Sequence, residues 1–399
     1  MRIALLSTIQ RAVDDPRLLL STLSFAGMTI AERQLDLALA LGCERVVCIS
    51  QGLDKTVLAL QHRTEAAGAK FNAIATPRAL LGLVSAADEL VVVAEGLLPD
   101  SEVAKGVLAS GAAVLSLPVE AGVAAGFERI DLNRAWAGVA IMPGRLVEQL
   151  AQLPPDCDAV SALLRIALQG RVPERDLRED VLSERRWAMI VGAEDIGEVE
   201  PEWFRRHASP PQAFAPGRMA AGLAVRTFAS TWLKRGWGSR AFWPGSVLAG
   251  AGGVVAAAFA HPVAGLLLCG IGWLLGEAAS ALRRIAAAGL EQASSTERLP
   301  GMTALFSDLC LAGVMVLALS GSWPDRVFAP VVLLALVHLC LRLLSQKWTE
   351  LAQDRAILAI YLAIGAWFGL LLPFIQIACG AMIVMLLGLI RDGSRLTQT

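Results

Sequence analysis

Two carboxylates of this chain stand in apolar surroundings that disfavour their charge. Glu277 lies in Leu274-Leu-Gly-Glu-Ala-Ala-Ser-Ala-Leu-Arg-Arg-Ile285, at the end of an apolar run that exits through Arg283 and Arg284. Asp308 lies inside the next apolar run. An ionisable group near a membrane interior keeps a partner or lines a cavity, because nothing else there offsets its charge. Two readings follow: an interhelical contact with Arg283 or Arg284, or a polar pocket that takes a phosphate or a lipid headgroup. The two arginines serve either, and they also suit snorkelling to anionic headgroups. His338, in a later apolar run, reads as a proton relay or as an imidazole bonded to a backbone carbonyl.

Positioning such groups takes apolar helices, and half of the chain is made for them. The sequence has 399 residues, 55% of them hydrophobic. Residues 1–240 hold 54 of the 71 charged side chains, so a polar half precedes an apolar one. In the polar half 26 Lys and Arg face 28 Asp and Glu, which excludes the basic excess of a nucleic-acid binder. The seven cysteines show no Cys-x-x-Cys and read as buried free thiols rather than zinc ligands or disulfides. The N-terminal apolar stretch runs into acids rather than a small-residue cleavage site, and reads as a first β-strand.

Apolar segments fall at 243–260, 263–282, 302–320 and 327–344, followed by an uncharged stretch from Ala356 to Ile390. A single helix of that last length would far exceed a bilayer core of roughly 30 Å, so it folds as two spans turning at Leu372-Pro373-Phe374. The total is six spans. Lys234, Arg235 and Arg240, then Arg283, Arg284 and Arg298, then Arg342, Lys347 and Arg355, then Arg391 and Arg395 all fall on one side, with Arg326 alone on the other. The positive-inside rule predicts a multi-pass protein of a bacterial-type inner membrane with both termini cytoplasmic. Before the first span, Arg226–Trp237 interleaves aromatic and basic residues and predicts an interfacial amphipathic helix anchored by Trp232 and Trp237. Gly245, Gly250, Gly252 and Gly253 suit close helix packing and a homodimer.

Residues 1–205 alternate apolar strands with helical runs: Ile3–Leu6, Thr29–Leu41, Arg45–Ile49, Lys55–Gly68, Phe71–Ala75, Ala79–Ala86 and Glu89–Ala94. That order predicts a parallel sheet covered on both faces. The pieces MTIAERQLDLALALGCERVVCI (28–49), AWAGVAIMPGRLVEQL (135–150) and AMIVGAEDIGEVEPEWF (188–204) resemble the sugar-nucleotidyltransferase family, with Gly192, Glu194 and Asp195 matching its closing segment. The resemblance implies a mixed sheet. It also implies a glycine-rich, basic loop after the first strand that holds a nucleoside triphosphate. Here that region is STIQRAVDDPRLLLSTLSFAG (7–27), with no glycine before Gly27 and two acids. The metal-binding aspartate that the family carries aligns with Ala94-Glu95-Gly96-Leu97, leaving Glu95 as the group for Mg²⁺. Asp131 is either a second carboxylate or a surface-loop acid.

Six spans after an interfacial helix resemble the CDP-alcohol phosphatidyltransferase family, whose signature D-x-x-D-G-x-x-A-R then G-x-x-x-D-x-x-x-D holds two divalent metals. On this chain the first part falls on Gly276, Ala279, Ser280, Arg283 and Arg284, and the second on Ala304, Asp308 and Ala312 or on Gly301, Leu305 and Leu309. Asp308 and Glu277, the latter one position off the pattern, are the metal-ligand candidates that remain. Arg284 keeps the family's arginine.

The sequence thus predicts a cytoplasmic α/β unit over 1–205, a linker with an interfacial helix over 206–242, and an all-α six-helix membrane unit over 243–399. The two resemblances imply a divergent member of a fusion type in phospholipid or phosphoalcohol biosynthesis that binds a nucleotide, a CDP-linked ligand, a headgroup or a partner enzyme without the two-metal site. The alternatives are an active transferase that uses Mg²⁺ or Mn²⁺ on unusual ligands (Glu95 and Asp131, or Glu277 and Asp308) and a membrane scaffold or small transporter.

Overall fold

The computed structural model describes residues 1–109, 111–154, 157–207, 215–234, 239–287, 298–343 and 353–396. The chain divides into a first unit, Met1–Arg206, and a second made of His207–Ile285 and Gln292–Thr399.

In the first unit, the central strands of the main sheet are made largely of branched and aliphatic residues and are buried on both faces, as strands under helices require, while the two edge strands are partly exposed; the described residues of the unit hold eleven strands. In chain order they are β1 (Arg2–Ser7), β2 (Ser24–Phe25), β3 (Met28–Thr29), β4 (Arg45–Ile49), β5 (Lys70–Ile74), β6 (Glu89–Val93), β7 (Leu97–Pro99), β8 (Ala113–Pro118), β9 (Arg134–Pro143), β10 (Glu174–Asp176) and β11 (Trp187–Met189). The helices are α1 (Ile30–Ala40), α2 (Lys55–Ala66), α3 (Ser101–Leu108), α4 (Val119–Ala124), α5 (Ala159–Gln169), α6 (Asp180–Ser183) and α7 (Ala193–His207). Seven strands form one sheet in the order β10-β8-β9-β6-β1-β4-β5.

All neighbours in this sheet are parallel except β9, which runs against both β6 and β8. The sheet is therefore mixed. The alternation of strands and helices could not show this reversal. Its cause is local: α4 has only six residues and turns the chain beside the start of β9, with Gly122 against Ala135, instead of carrying it back along the sheet. The N-terminal apolar stretch is β1, central in the sheet. The expected helical run at 79–86 is instead a short 3₁₀ segment, Pro77–Gly82. Helix α1 begins on a capping box in which Thr29 and Glu32 bond each other's backbone amides.

The second unit is helical: α8 (Pro216–Lys234), α9 (Ser239–Ala258), α10 (Pro262–Ala287), α11 (Arg298–Ala318), α12 (Trp323–Leu343), α13 (Arg355–Trp367) and α14 (Leu371–Leu396). The last six coincide with the six apolar segments. Two stretches, Pro262–Arg284 and Trp323–Leu343, are long and apolar enough to cross a membrane; the apolar parts of the other four are shorter among the described residues. The final turn comes earlier than the sequence suggested. Gly369 takes a positive φ of 70° and Leu370 N–H closes on Gly365 O, while Pro373 sits in the first turn of α14. A proline is tolerated there because a first-turn N–H has no intrahelical acceptor. Helix α8 covers most of the expected interfacial helix, with Trp232 packed between Phe228 and Phe242. Trp237 lies outside the described residues.

Candidate functional site

Glu95 follows β6 and is buried beneath the loop that follows β1. Its Oε2 accepts from Ser7 Oγ at 2.6 Å and Ile9 N at 3.1 Å, and its Oε1 accepts from Gln10 N at 3.0 Å. Burial raises its pKa above the usual carboxylate range, against the pull of these three donors. The next residue, Gly96, holds a positive φ of 86°, and a Cβ there would lie 2.2 Å from Ile190 O. Only glycine lets β11 lie antiparallel to β7 at this place.

Other amides of the same loop are bonded within the unit as well. Ala12 N–H donates to Leu18 O, Val13 N–H to Val191 O, Leu18 N–H to Asp15 O and Leu20 N–H to Gln10 O. Asp15 N–H and Arg17 N–H meet the Asp14 and Asp15 carboxylates. Asp14 also accepts from Ala193 N at 2.7 Å, at the start of α7, while Asp195 accepts from Val191 N and Gly192 N. A phosphate cradle offers several backbone N–H groups to one anion. Here the loop's amides meet backbone carbonyls or the carboxylates of Glu95, Asp14 and Asp15. Asp131 is exposed, and its Oδ1 accepts from Asn133 N and Arg134 N, both at 2.8 Å, so it closes the turn before β9.

Behind the loop, Arg33 of α1 lies over Trp203 and Phe25, with its guanidinium carbon 4.9 and 5.9 Å from the ring centres. Burial lowers its pKa to about 10. Glu200 of α7 accepts from Ala26 N at 2.9 Å. These contacts hold the turn between β2 and β3 and the start of α1 to α7, which ties the first and the last of the three family-like segments.

In the helical unit the buried carboxylate has partners that the sequence did not suggest. Arg355, the first residue of α13, grips Asp308 of α11 through Nε to Oδ1 at 2.9 Å and Nη2 to Oδ2 at 3.1 Å. Both side chains are nearly inaccessible, 3% and 4% exposed. His338 of α12 places Nε2 3.0 Å from the same Oδ2, so its partner is a carboxylate and not a backbone carbonyl. Glu277 of α10 lies 3.4 Å from Arg218 Nε of α8, and Arg218 also bonds the Gln353 side chain. Arg283 bonds Ser280 of its own helix, and Arg284 is exposed. The expected contact of Glu277 or Asp308 with Arg283 or Arg284 is therefore replaced by Arg218 and Arg355. The reason is geometric. Arg283, six residues beyond Glu277, is turned to another face of α10, and Arg284, seven beyond, returns to the same face but lies about 10 Å along the helix axis.

Asp354 completes the cluster. It accepts from Gly217 N at 2.6 Å, Ala356 N at 3.2 Å and Ile357 N at 3.3 Å, and so caps α8 and α13 together. Arg355 carried only a topological role in the sequence, as one of the cytoplasmic cations; its adjacency to Asp354 at the edge of an uncharged stretch was the available signal for more. Among the described residues, no three His, Cys, Asp or Glu side chains gather as metal ligands. A cation at Asp308 would have to displace a two-pronged guanidinium.

No family model and no curated protein matches this sequence. Among solved structures, it is similar to a UDP-glucose pyrophosphorylase complexed with UDP-glucose, at 12% identity and a TM-score of 0.38, over 52% of this chain and 99% of the other. It is also similar to a UDP-glucose pyrophosphorylase from Acinetobacter baumanii, at 10% identity and a TM-score of 0.38, over 52% of this chain and 94% of the other.

Proposed function

We propose that this chain is an inner-membrane protein of phospholipid or phosphoalcohol biosynthesis that keeps a nucleotidyltransferase-like unit and a CDP-alcohol phosphatidyltransferase-like six-span unit as binding platforms, without two-metal transfer. One observation carries the reading. The groups best placed to take a metal or a phosphate are bonded inside the protein: Glu95 by Ser7, Ile9 and Gln10, and Asp308 by Arg355 and His338. A triphosphate entering the loop after β1 would meet Asp14 and Glu95 where it needs free amides. Two Mg²⁺ or Mn²⁺ ions need several oxygen ligands each, and Asp308 offers oxygens already engaged by a cation.

On this reading the ligand is a nucleotide, a CDP-linked alcohol or a headgroup held without a metal, or else a partner enzyme. Arg283 and Arg284 meet anionic headgroups; Gly250 and Gly253 of α9 pack against α11 and α10 of the same chain, and Gly252, where a Cβ would meet open space, leaves room for a homodimer. Both termini lie in the cytoplasm.

The test is the thermal midpoint of the detergent-purified protein with CTP or a CDP-alcohol, each with and without Mg²⁺ or Mn²⁺. The midpoint should not respond to metal. A metal-dependent rise would show a working transfer site and overturn the proposal, and Glu95, Asp131, Glu277 and Asp308 would then be replaced one at a time.

A further inference from the structure

The Asp308 carboxylate has one more neighbour than its charge requires. Arg355 neutralises it through two bonds, yet His338 Nε2 also stands 3.0 Å from Oδ2. An ionised carboxylate oxygen only accepts, so Nε2 carries a proton and donates it. Nδ1 is then the free polar atom of the ring, without a protein partner among the described residues. The Asp308 side chain is 4% exposed and that of His338 50%, so the imidazole reaches from the buried pair out to the surface of α12.

Helix periodicity fixes what shares that surface. Val331, Ala335, His338 and Arg342 follow the i, i+4, i+7, i+11 spacing of one helix face, and all four are exposed. The other stripe, Pro330, Leu333, Val337 and Cys340, is buried in the unit. Of the two helices long and apolar enough to cross a membrane, α12 is the less covered by the rest of the chain. Its exposed face changes in one direction. It is apolar at Val331 and Ala335, turns polar at His338, and ends about 6 Å further on at Arg342, one residue before the helix stops. A phospholipid repeats that order, with acyl chain, glycerol and then phosphate.

The charge at this end of α12 is positive. Asp308 is matched by Arg355, and Asp325, the other carboxylate of α11 and α12 among the described side chains, is at the far end of α12 beside Ser322. Arg342 has no carboxylate partner among the described residues. The partial negative charge of the α12 carboxyl end is about half a unit, less than the one charge of Arg342. An arriving phosphate also favours a second proton on the imidazole, which makes Nδ1 a donor as well.

We infer that His338 and Arg342 hold the phosphodiester of a membrane phospholipid, with an acyl chain along Val331 and Ala335. Asp308, itself fixed by Arg355, is the positioning residue that orients the imidazole. The inference rests on the membrane part of the proposed function and deepens it: the headgroup ligand is bound on the outer face of α12, and not at the position of the missing metals.

The experiment uses the full chain, purified in detergent, stripped of lipid and titrated with phosphatidylglycerol, with bound lipid counted by native mass spectrometry. His338→Gln, whose amide still donates to Asp308, and Arg342→Gln, at an exposed position, should each weaken retention at least about five-fold while leaving the lipid-free thermal midpoint in place. Arg165→Gln removes an exposed cation of the first unit and should retain lipid as the wild type does. Equal retention by the wild type and both α12 variants, in protein recovered from the membrane fraction, would overturn the site alone. Recovery of the chain from the soluble fraction without detergent would remove the membrane reading and the site with it. Glycerol 3-phosphate separates the two sources of a phosphate group: a midpoint rise equal to that with phosphatidylglycerol, and lost in both variants, would make the ligand a free phosphate ester and overturn the lipid assignment.

Discussion

Arg355 and Asp308, 47 positions apart, form a two-pronged ion pair shielded from solvent, and His338 shares one of its carboxylate oxygens. Three helices, α11, α12 and α13, are joined at this one carboxylate. A buried pair of this kind contributes little net stability over an apolar replacement, but losing one partner leaves an uncompensated charge.

Arg355→Ala should therefore lower the stability of the helical unit by about 3–5 kcal/mol, while Arg355→Met with Asp308→Leu should recover most of that loss. Thermal midpoints in detergent for the two single variants and the double variant give the coupling. Additive effects would show that the pair does not act as a unit.

Glu95→Ala removes the acceptor for Ser7, Ile9 and Gln10 and should cost about 2–4 kcal/mol. The loop after β1 should open locally. Hydrogen exchange at Ile9 and Gln10 should quicken by orders of magnitude more than at Val46 or Val47 in the neighbouring strand, and equal change at both places would place the damage in the whole sheet.

Gly96→Ala sets a Cβ on the carbonyl of Ile190 and forces a positive φ on alanine. A loss of at least about 1–3 kcal/mol is expected from backbone strain alone. Gly52→Ala, where a Cβ meets open space, is the comparison and should stay within about 0.5 kcal/mol of wild type.

Burial pushes the Asp36 carboxyl up to about 6, against the attraction of Arg63 and Arg33. Its Oδ1 accepts from Arg63 at 2.6 Å, and its Oδ2 is buried with no hydrogen-bond partner. Between about pH 4 and pH 6 the folded chain keeps a proton that the unfolded chain has released. Stability from this residue is thus full below pH 4 and falls as the pH rises, by about 3 kcal/mol in total. Asp36→Asn should flatten that slope in unfolding measured from pH 4 to pH 7, and an unchanged slope would refute the assignment.

The sequence carried the six apolar helices to within a few residues and most strands of the sheet, because both follow from the spacing of apolar side chains. The resemblance implied a mixed sheet, as found, but the spacing did not show that β9 is the reversed strand, which depends on how a six-residue helix turns, nor the end of α13, which Gly369 sets before Pro373 is reached. Glu95, Asp131, Glu277 and Asp308 were visible as candidates by residue type and resemblance. Their partners were not, since Ser7, Arg218, His338 and Arg355 are brought to them from distant parts of the chain by tertiary packing. Arg355 shows the limit most clearly: a cation at the edge of an apolar stretch looks like an anchor, and in the fold it is among the most buried charges.

Asp354 caps the first turns of two helices whose starts are 139 residues apart, α8 and α13. During synthesis α8 emerges long before its cap exists, so the ribosome must complete all but the last two helices before that end can be fastened. A truncated product ending before residue 354 leaves the first turn of α8 without this cap.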